Sequence, residues 1–189
     1  MFEMIRSDLR RKSLTCGVDP EAKSFFGHWI TPLFKFGTLA VLSYRYGRWA
    51  YSIKIPVIRQ ILIGIYLFSD FFVAALTGMK VHPESEIGPG LVVDTFSTAI
   101  VLAKKIGNNC TIEQGVSIAN VRGSGRATIG NNCYFEAGCK VMGAVTIGDN
   151  VTVGANSLVM SDVPSGCTVL GVPARIISRE PLTPHLGRP

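Results

Sequence analysis

Between Ile106 and Pro164 apolar residues recur every six positions. Read from Ile129, the chain divides into IGNNCY, FEAGCK, VMGAVT, IGDNVT, VGANSL and VMSDVP, with an aliphatic or aromatic residue opening each block and a small or β-branched residue in fifth place. A helix repeats every 3.6 residues and a strand every 2, so a period of six requires a short straight run followed by a corner. Three such sides close a triangular coil of about 18 residues. The opening residue points inward and stacks on the next coil at the sheet spacing of about 4.8 Å, and the fifth must be small enough to fill the corner. The pattern predicts a mainly β fold, a parallel β-helix.

The same count sets the limits of the solenoid. It starts near Val81; from Ile87 the blocks IGPGLV and VDTFST are followed by a looser AIVLAKK, which puts Ile106 nineteen positions after Ile87, so one coil carries an extra residue. Ile129 follows Ile106 by 23 positions, and the surplus predicts a loop extruded around Ala119 to Ala127, ANVRGSGRA. Insertions in solenoids go outward and often carry function. The coil closes at VPSGCTVLGVPARII, and a polar tail follows from Ser178. The expected layout is a helical region over 1–80, a β-helix over 81–177 and a tail over 178–189.

Upstream the period changes to that of helices. IRSDLRRK reads as a first helix stopped at Cys16-Gly17, and Asp19-Pro20 opens a second, with the Asp at the cap and the Pro in the first turn. TLAVLSYRYGRWAYSI is helical in pattern, with a stop at Lys54-Ile55-Pro56. VIRQILIGIYLFSDFFVAALTGM is apolar almost all the way round, but its longest uncharged run is the ten residues Gln60 to Ser69, short of the roughly 20 that span a bilayer. Two readings stand: a helix buried against its neighbours or in an oligomer interface, or a peripheral membrane contact through residues 57–78 with Arg59 and Asp70 at the wet face.

Composition narrows the classes. With 189 residues and 47% hydrophobic content, the chain is one domain, or a small domain with an extension, that can bury a core. The net charge of +6 comes from scattered Lys and Arg, densest near the N-terminus and without basic-aromatic interleaving, which argues against nucleic acid. Of five cysteines, Cys110, Cys133 and Cys139 occupy the fifth place of a block. They read as reduced core residues of a cytoplasmic protein, with no metal expected. The start does not resemble a signal peptide, so the expected location is cytoplasmic, with membrane association as the alternative.

The motifs HPESEIGPG, D-x-x-x-T from Asp94, EQGVSI, VMGAVTIGDNVTVGANSLVMSDVP and GVPARII resemble the hexapeptide-repeat (left-handed parallel β-helix) acyltransferases, most closely the serine acetyltransferase family. IRSDL, VDPEAKS and YRYGRW resemble that family's helical region, so the likeness covers nearly the whole chain. The resemblance implies a left-handed coil, a homotrimer or dimer of trimers, and sites between neighbouring β-helices. It also implies acetyl-CoA as cosubstrate and transfer to the hydroxyl of L-serine or a similar small acceptor. Carried over, the pantetheine lies along the coil edge against Gly138, Gly154 and Ala155, with Lys140 and Arg175 as phosphate partners; each small residue also reads as a turn residue. The chain departs from the family at two positions. Asp94-Thr95 stands where the family has Asp-His, and Arg126-Ala127 where its loop has Arg-His. Transfer from a thioester needs a base for the hydroxyl proton, a role suited to imidazole. His28 lies in the helical region, His185 in the tail, and His82 matches a family position that is not catalytic.

The repeat offers a substitute. Asp94, Glu113 and Glu136 each follow an inward residue and each lie seven positions after Ile87, Ile106 and Ile129 respectively, so they should stack in one column. Carboxylates about 4.8 Å apart do not all ionise cheaply, so at least one pKa should rise towards neutrality, and relief of that crowding should leave a Glu→Gln variant as stable or more so. The expected catalytic set is Asp94, Thr95, Glu113 and Glu136, with Arg126 holding an acceptor carboxylate; the alternative is a solvated stripe relaxed by a neighbouring subunit's Arg or Lys. Three functions fit: an acetyl-CoA-dependent O-acetyltransferase of serine acetyltransferase type, one acting on a sugar in polysaccharide or lipid-linked glycan assembly, or a non-catalytic CoA-binding or scaffold homologue.

Overall fold

The computed structural model describes residues 1–15, 36–93, 98–120, 123 and 125–180. Among them, three helices, α1 (Phe2–Thr15), α2 (Phe36–Ser52) and α3 (Pro56–Thr77), precede a three-faced parallel β-helix. The first face stacks Lys80–Val81, Ile100–Val101, Ser117–Ala119, Lys140–Met142 and Leu158–Val159; the second stacks Glu86–Ile87, Lys105–Ile106, Thr128–Ile129 and Thr146–Ile147. The third runs from Val92–Val93 through Thr111–Ile112, Tyr134–Phe135 and Thr152–Val153 to Thr168–Leu170, and ends on an antiparallel strand, Arg175–Ser178. The helix expected to open at Asp19-Pro20, together with His28, Asp94, Thr95 and His185, lies outside the described residues.

The inward ladder follows the six-residue count. Ile87, Ile106, Ile129 and Ile147 are in register on the second face, and Val93, Ile112, Phe135, Val153 and Val169 on the third. All are buried, as are Cys110, Cys133 and Cys139 at the corners. Burial pushes the Cys139 thiol up to about 12, so it remains a protonated, apolar filler. Ala119 pairs with Met142 and Thr128 with Lys105, so residues 120–127 lie between these two strands, where the count placed its surplus.

Two coils depart from the count. Val101 lies eight positions after Val93 and Ile106 five after Val101, which together make the extra residue. At the far end the block opened by Val159 is cut short: Val163, not Ser165, turns inward and bridges Ile147. Ser165 is polar, and its Oγ accepts from the Asp149 amide at 2.9 Å instead of entering the core.

The helices close the open end of the solenoid, where the first coil would leave its carbonyls without partners. Arg45, from α2, donates to the Ile87 and Gly88 carbonyls at 2.7 and 2.6 Å and through Nε to Asp8 of α1 at 2.9 Å. Asp8 Oδ1 in turn accepts from the Gly90 and Leu91 amides at 2.7 and 2.9 Å. Both side chains are buried. The Tyr44 hydroxyl donates to Ser85 O at 2.7 Å, and Lys12 Nζ to Val93 O at 2.8 Å.

Helix α3 starts on Pro56 and stops at Gly78, whose φ of 67° is the left-handed conformation that ends helices. At 22 residues it is about 33 Å long. The run of uncharged residues therefore understates it: by length and composition this helix is sufficient to cross a bilayer. It is not buried among neighbours, since only 11% of its apolar window is covered. One side packs on α2, with the Tyr66 ring lying against Gly47, where a Cβ would approach it to 2.5 Å, and with Ser43 Oγ donating to Asp70 at 3.0 Å. Asp70 thus faces α2 rather than a wet outer face.

Candidate functional site

The corner from the third face to the first presents, on successive coils, Glu113–Gly115, Glu136–Gly138 and Gly154–Asn156. The Glu113 amide donates to Phe135 O, the Glu136 amide to Val153 O and the Gly154 amide to Val169 O, at 2.9, 2.9 and 2.8 Å, so Glu113, Glu136 and Gly154 form one column. Each carboxylate in it has partners on the next coil. Glu113 Oε2 accepts from the Ala137 amide at 3.0 Å and its Oε1 from the Tyr134 hydroxyl; Glu136 Oε2 accepts from the Ala155 amide at 2.8 Å.

The cause is the corner itself. Its fourth residue takes the left-handed conformation, at φ of 54–55° for Asn109, Asn132, Asn150 and Asn156 and at 68° and 73° for Gly115 and Gly138. The third residue's N–H then points along the solenoid axis, beyond reach of the strand ladder, and needs an acceptor. At the corner from second face to third, side chains of the next coil meet that need: Asn131 for the Asn108 amide at 2.8 Å and Asp149 for the Asn131 amide at 2.6 Å. Glu113 and Glu136 serve the same donors here. Each carboxylate is aimed at an amide on the next coil.

The residues expected along the donor are together on this edge. Gly138 is required by the turn, since a Cβ there would stand 2.2 Å from Asn156 Oδ1; at Gly154 a Cβ would meet Leu170 Cδ1 at 2.4 Å. Ala155 and Lys140 are exposed beside them, with Lys140 Nζ donating to Gly138 O at 3.3 Å. Arg175 opens the final strand opposite Leu170, at the end of the same edge. The result is an edge of small residues, with two cations suited to phosphate oxygens.

Arg126 is elsewhere. It stands at the corner from the first face to the second, one full side of the triangle from the donor edge, paired with Glu84 on the first coil. With Glu86, Lys104, Lys105 and Thr128 the two line an open cavity of about 490 Å³. Ala127, at the second position where imidazole was expected, is fully buried, and its carbonyl accepts from the Lys104 amide at 2.8 Å.

His82 was the residue that motif matching set aside. Burial, then the charge of Lys80, holds its imidazole below its ordinary range, with Arg126 acting in the same sense and Glu84 and Asp70 opposing. It is therefore a neutral imidazole at neutral pH, close enough to Arg126 and Glu84 to feel both. Nothing in the linear sequence marks this, because Arg126 belongs to the third coil while His82 and Glu84 belong to the first. Among the described residues no group of three or more His, Cys, Asp or Glu is placed to hold a metal ion.

Comparison with known proteins bears on the fold and the family. Residues 126–160 match the family model described as bacterial transferase hexapeptide (six repeats). The serine acetyltransferase of Synechococcus elongatus is 36% identical over 148 residues, 76% of this chain, which spans only 57% of that enzyme's length. That of Helicobacter pylori is 32% identical over 167 residues, covering 86% of this chain and 91% of the enzyme. A serine acetyltransferase structure in complex with CoA superposes with a TM-score of 0.70 at 26% identity, over 93% of this chain and 70% of that one. With that identity sustained over nearly the whole of the H. pylori enzyme, the chain belongs to the serine acetyltransferase family.

Proposed function

We propose that the protein is an acetyl-CoA-dependent O-acetyltransferase of serine acetyltransferase type. The acceptor's hydroxyl oxygen bonds to the acetyl carbonyl carbon, the carbon–sulfur bond of the thioester breaks, and the hydroxyl proton ends on the sulfur of CoA. What carries this reading is the reach of the similarity, which at 86% of the chain extends beyond the repeat into the helices. Gly138, Gly154 and Ala155 form the edge for the pantetheine, Lys140 and Arg175 meet phosphate, and Arg126 holds an acceptor carboxylate. The donor edge and Arg126 occupy different corners of one chain, which supports a homotrimer in which one protomer's edge faces the next protomer's loop, in a cytoplasmic enzyme. The proton falls to groups other than the family's imidazoles: the carboxylates of Asp94, Glu113 and Glu136, with Thr95 beside the first, or the neutral His82 beside Arg126.

A second reading, acetylation of a sugar in polysaccharide or lipid-linked glycan assembly, is favoured by Thr95 and Ala127 at the two imidazole positions and by the uncovered apolar side of α3. One assay separates them: thiol release from acetyl-CoA by the purified protein with L-serine, homoserine or a panel of sugars. Release with L-serine is the expected result. Release with a sugar alone would select the second reading, and no release with any acceptor would leave a CoA-binding or scaffold homologue.

A further inference from the structure

The least explained feature of the molecule is the outer side of α3. Val57, Ile61, Ile65, Phe68, Phe72 and Leu76 recur every three or four residues along its whole length and are 49–69% exposed. Leu67 and Phe71 extend the strip sideways, also exposed, so that at 100° per residue it covers about half the helix circumference. No ionisable side chain lies within it. Asp70 is turned to Ser43, while Lys54 and Arg59 stand exposed at one end and Lys80 just beyond the other. Trp49 and Tyr51 are exposed where α2 ends beside the start of α3. Soluble proteins rarely leave a patch of this extent uncovered.

We infer that the outer half of α3 docks in plane on a bilayer surface that carries anionic lipid. Three observations select this occupant. A second copy of the helix would cover a seam much narrower than half the circumference, whereas a bilayer surface covers the whole strip. Pairing with a second copy in either direction would bring like charges together, because cations stand at both ends; a lipid surface with anionic headgroups attracts them all, as does the net charge of +6. Aromatic side chains at the rim suit the headgroup level. The helix does not cross the bilayer in this arrangement, because its inner side is held on α2 through Ser43, Asp70 and the Tyr66–Gly47 contact. It lies at the surface with one side immersed.

The test is flotation of the full chain with vesicles of phosphatidylcholine alone or with about one-third phosphatidylserine. The protein should float with the anionic vesicles, weakly or not at all with the neutral ones, and less as salt rises. Phe68→Gln with Phe72→Gln should lower partitioning at least about tenfold, and Lys54→Gln about fivefold, with unchanged circular dichroism because all three side chains are exposed. Protein left in solution with both vesicle types at low salt would overturn the inference, a result that needs no variant. So would a Phe68→Gln, Phe72→Gln protein that partitions normally but halves its mass by light scattering, which would assign the strip to a second copy of the chain.

Discussion

The 2.8 Å bond from the Ala155 amide to Glu136 shows what a single side chain does in a solenoid. The amide belongs to a corner whose left-handed fourth residue, Asn156, turns it out of the ladder, and no backbone carbonyl replaces the lost partner. Glu136→Ala should therefore cost about 1–3 kcal/mol, the usual penalty for stranding a donor, and lower the melting temperature. Glu136→Gln keeps an acceptor oxygen and should lose less. Thermal denaturation of the three proteins checks this, and equal melting temperatures would remove the structural role. Turnover of the Gln variant is the separate test of proton transfer: a loss of roughly 10²- to 10⁴-fold with the fold intact would mark Glu136 as the base. The column itself was legible in the sequence, because a constant period fixes the register. The direction of its side chains was not, since that depends on which amides the corners leave over. The available signal was the polar residue at Asn131, Asp149 and Ser165, which recurs at the companion corner for the same reason.

Between elements, the decisive contact joins two helices to the first coil through one buried pair. Burial pushes the Asp8 carboxyl up, while Arg45 and the amides of Leu91 and Gly90 pull it back, and the guanidinium also satisfies two carbonyls of the terminal strand. Arg45→Ala should destabilise the protein by about 3–5 kcal/mol, because it strands a carboxylate that is 5% exposed and frees both carbonyls. Asp8→Leu combined with Arg45→Met should recover part of that loss, since an apolar pair leaves no charge unpaired. Denaturant titration distinguishes the two; an Arg45→Ala midpoint equal to wild type would show that the clasp contributes nothing. The helix carrying YRYGRW was readable from its pattern, but its partner stands 37 residues away and no local rule connects them. For α3 the difficulty was different: a helix apolar on every side has no periodic signature of which side is covered, and only packing against α2 breaks that symmetry.

At the scale of the molecule, the triangular cross-section separates groups that the proposed reaction would bring together. Ala155 and Lys140 lie on the edge between the third face and the first, Arg126 beyond the far end of the first face, and no motion of a packed solenoid closes that distance. The proposed cyclic trimer would close it by setting each protomer's edge against the next protomer's loop. Two variants test this without perturbing the core. Ala155→Trp should obstruct the proposed donor edge from an exposed position, leaving the amide bonded to Glu136, and Arg126→Ala should raise the Michaelis constant for an acceptor carboxylate. Each alone should be impaired when assayed below saturation. Unfolded together in equal amounts and refolded, they should assemble into mixed trimers in which one site per trimer takes an intact edge from one protomer and an intact loop from its neighbour. Random assembly then restores about one quarter of the wild-type activity. Activity that stays at the mean of the two parents would place both halves of the site within a single chain, and the long separation across the first face would have to be bridged by the substrates themselves.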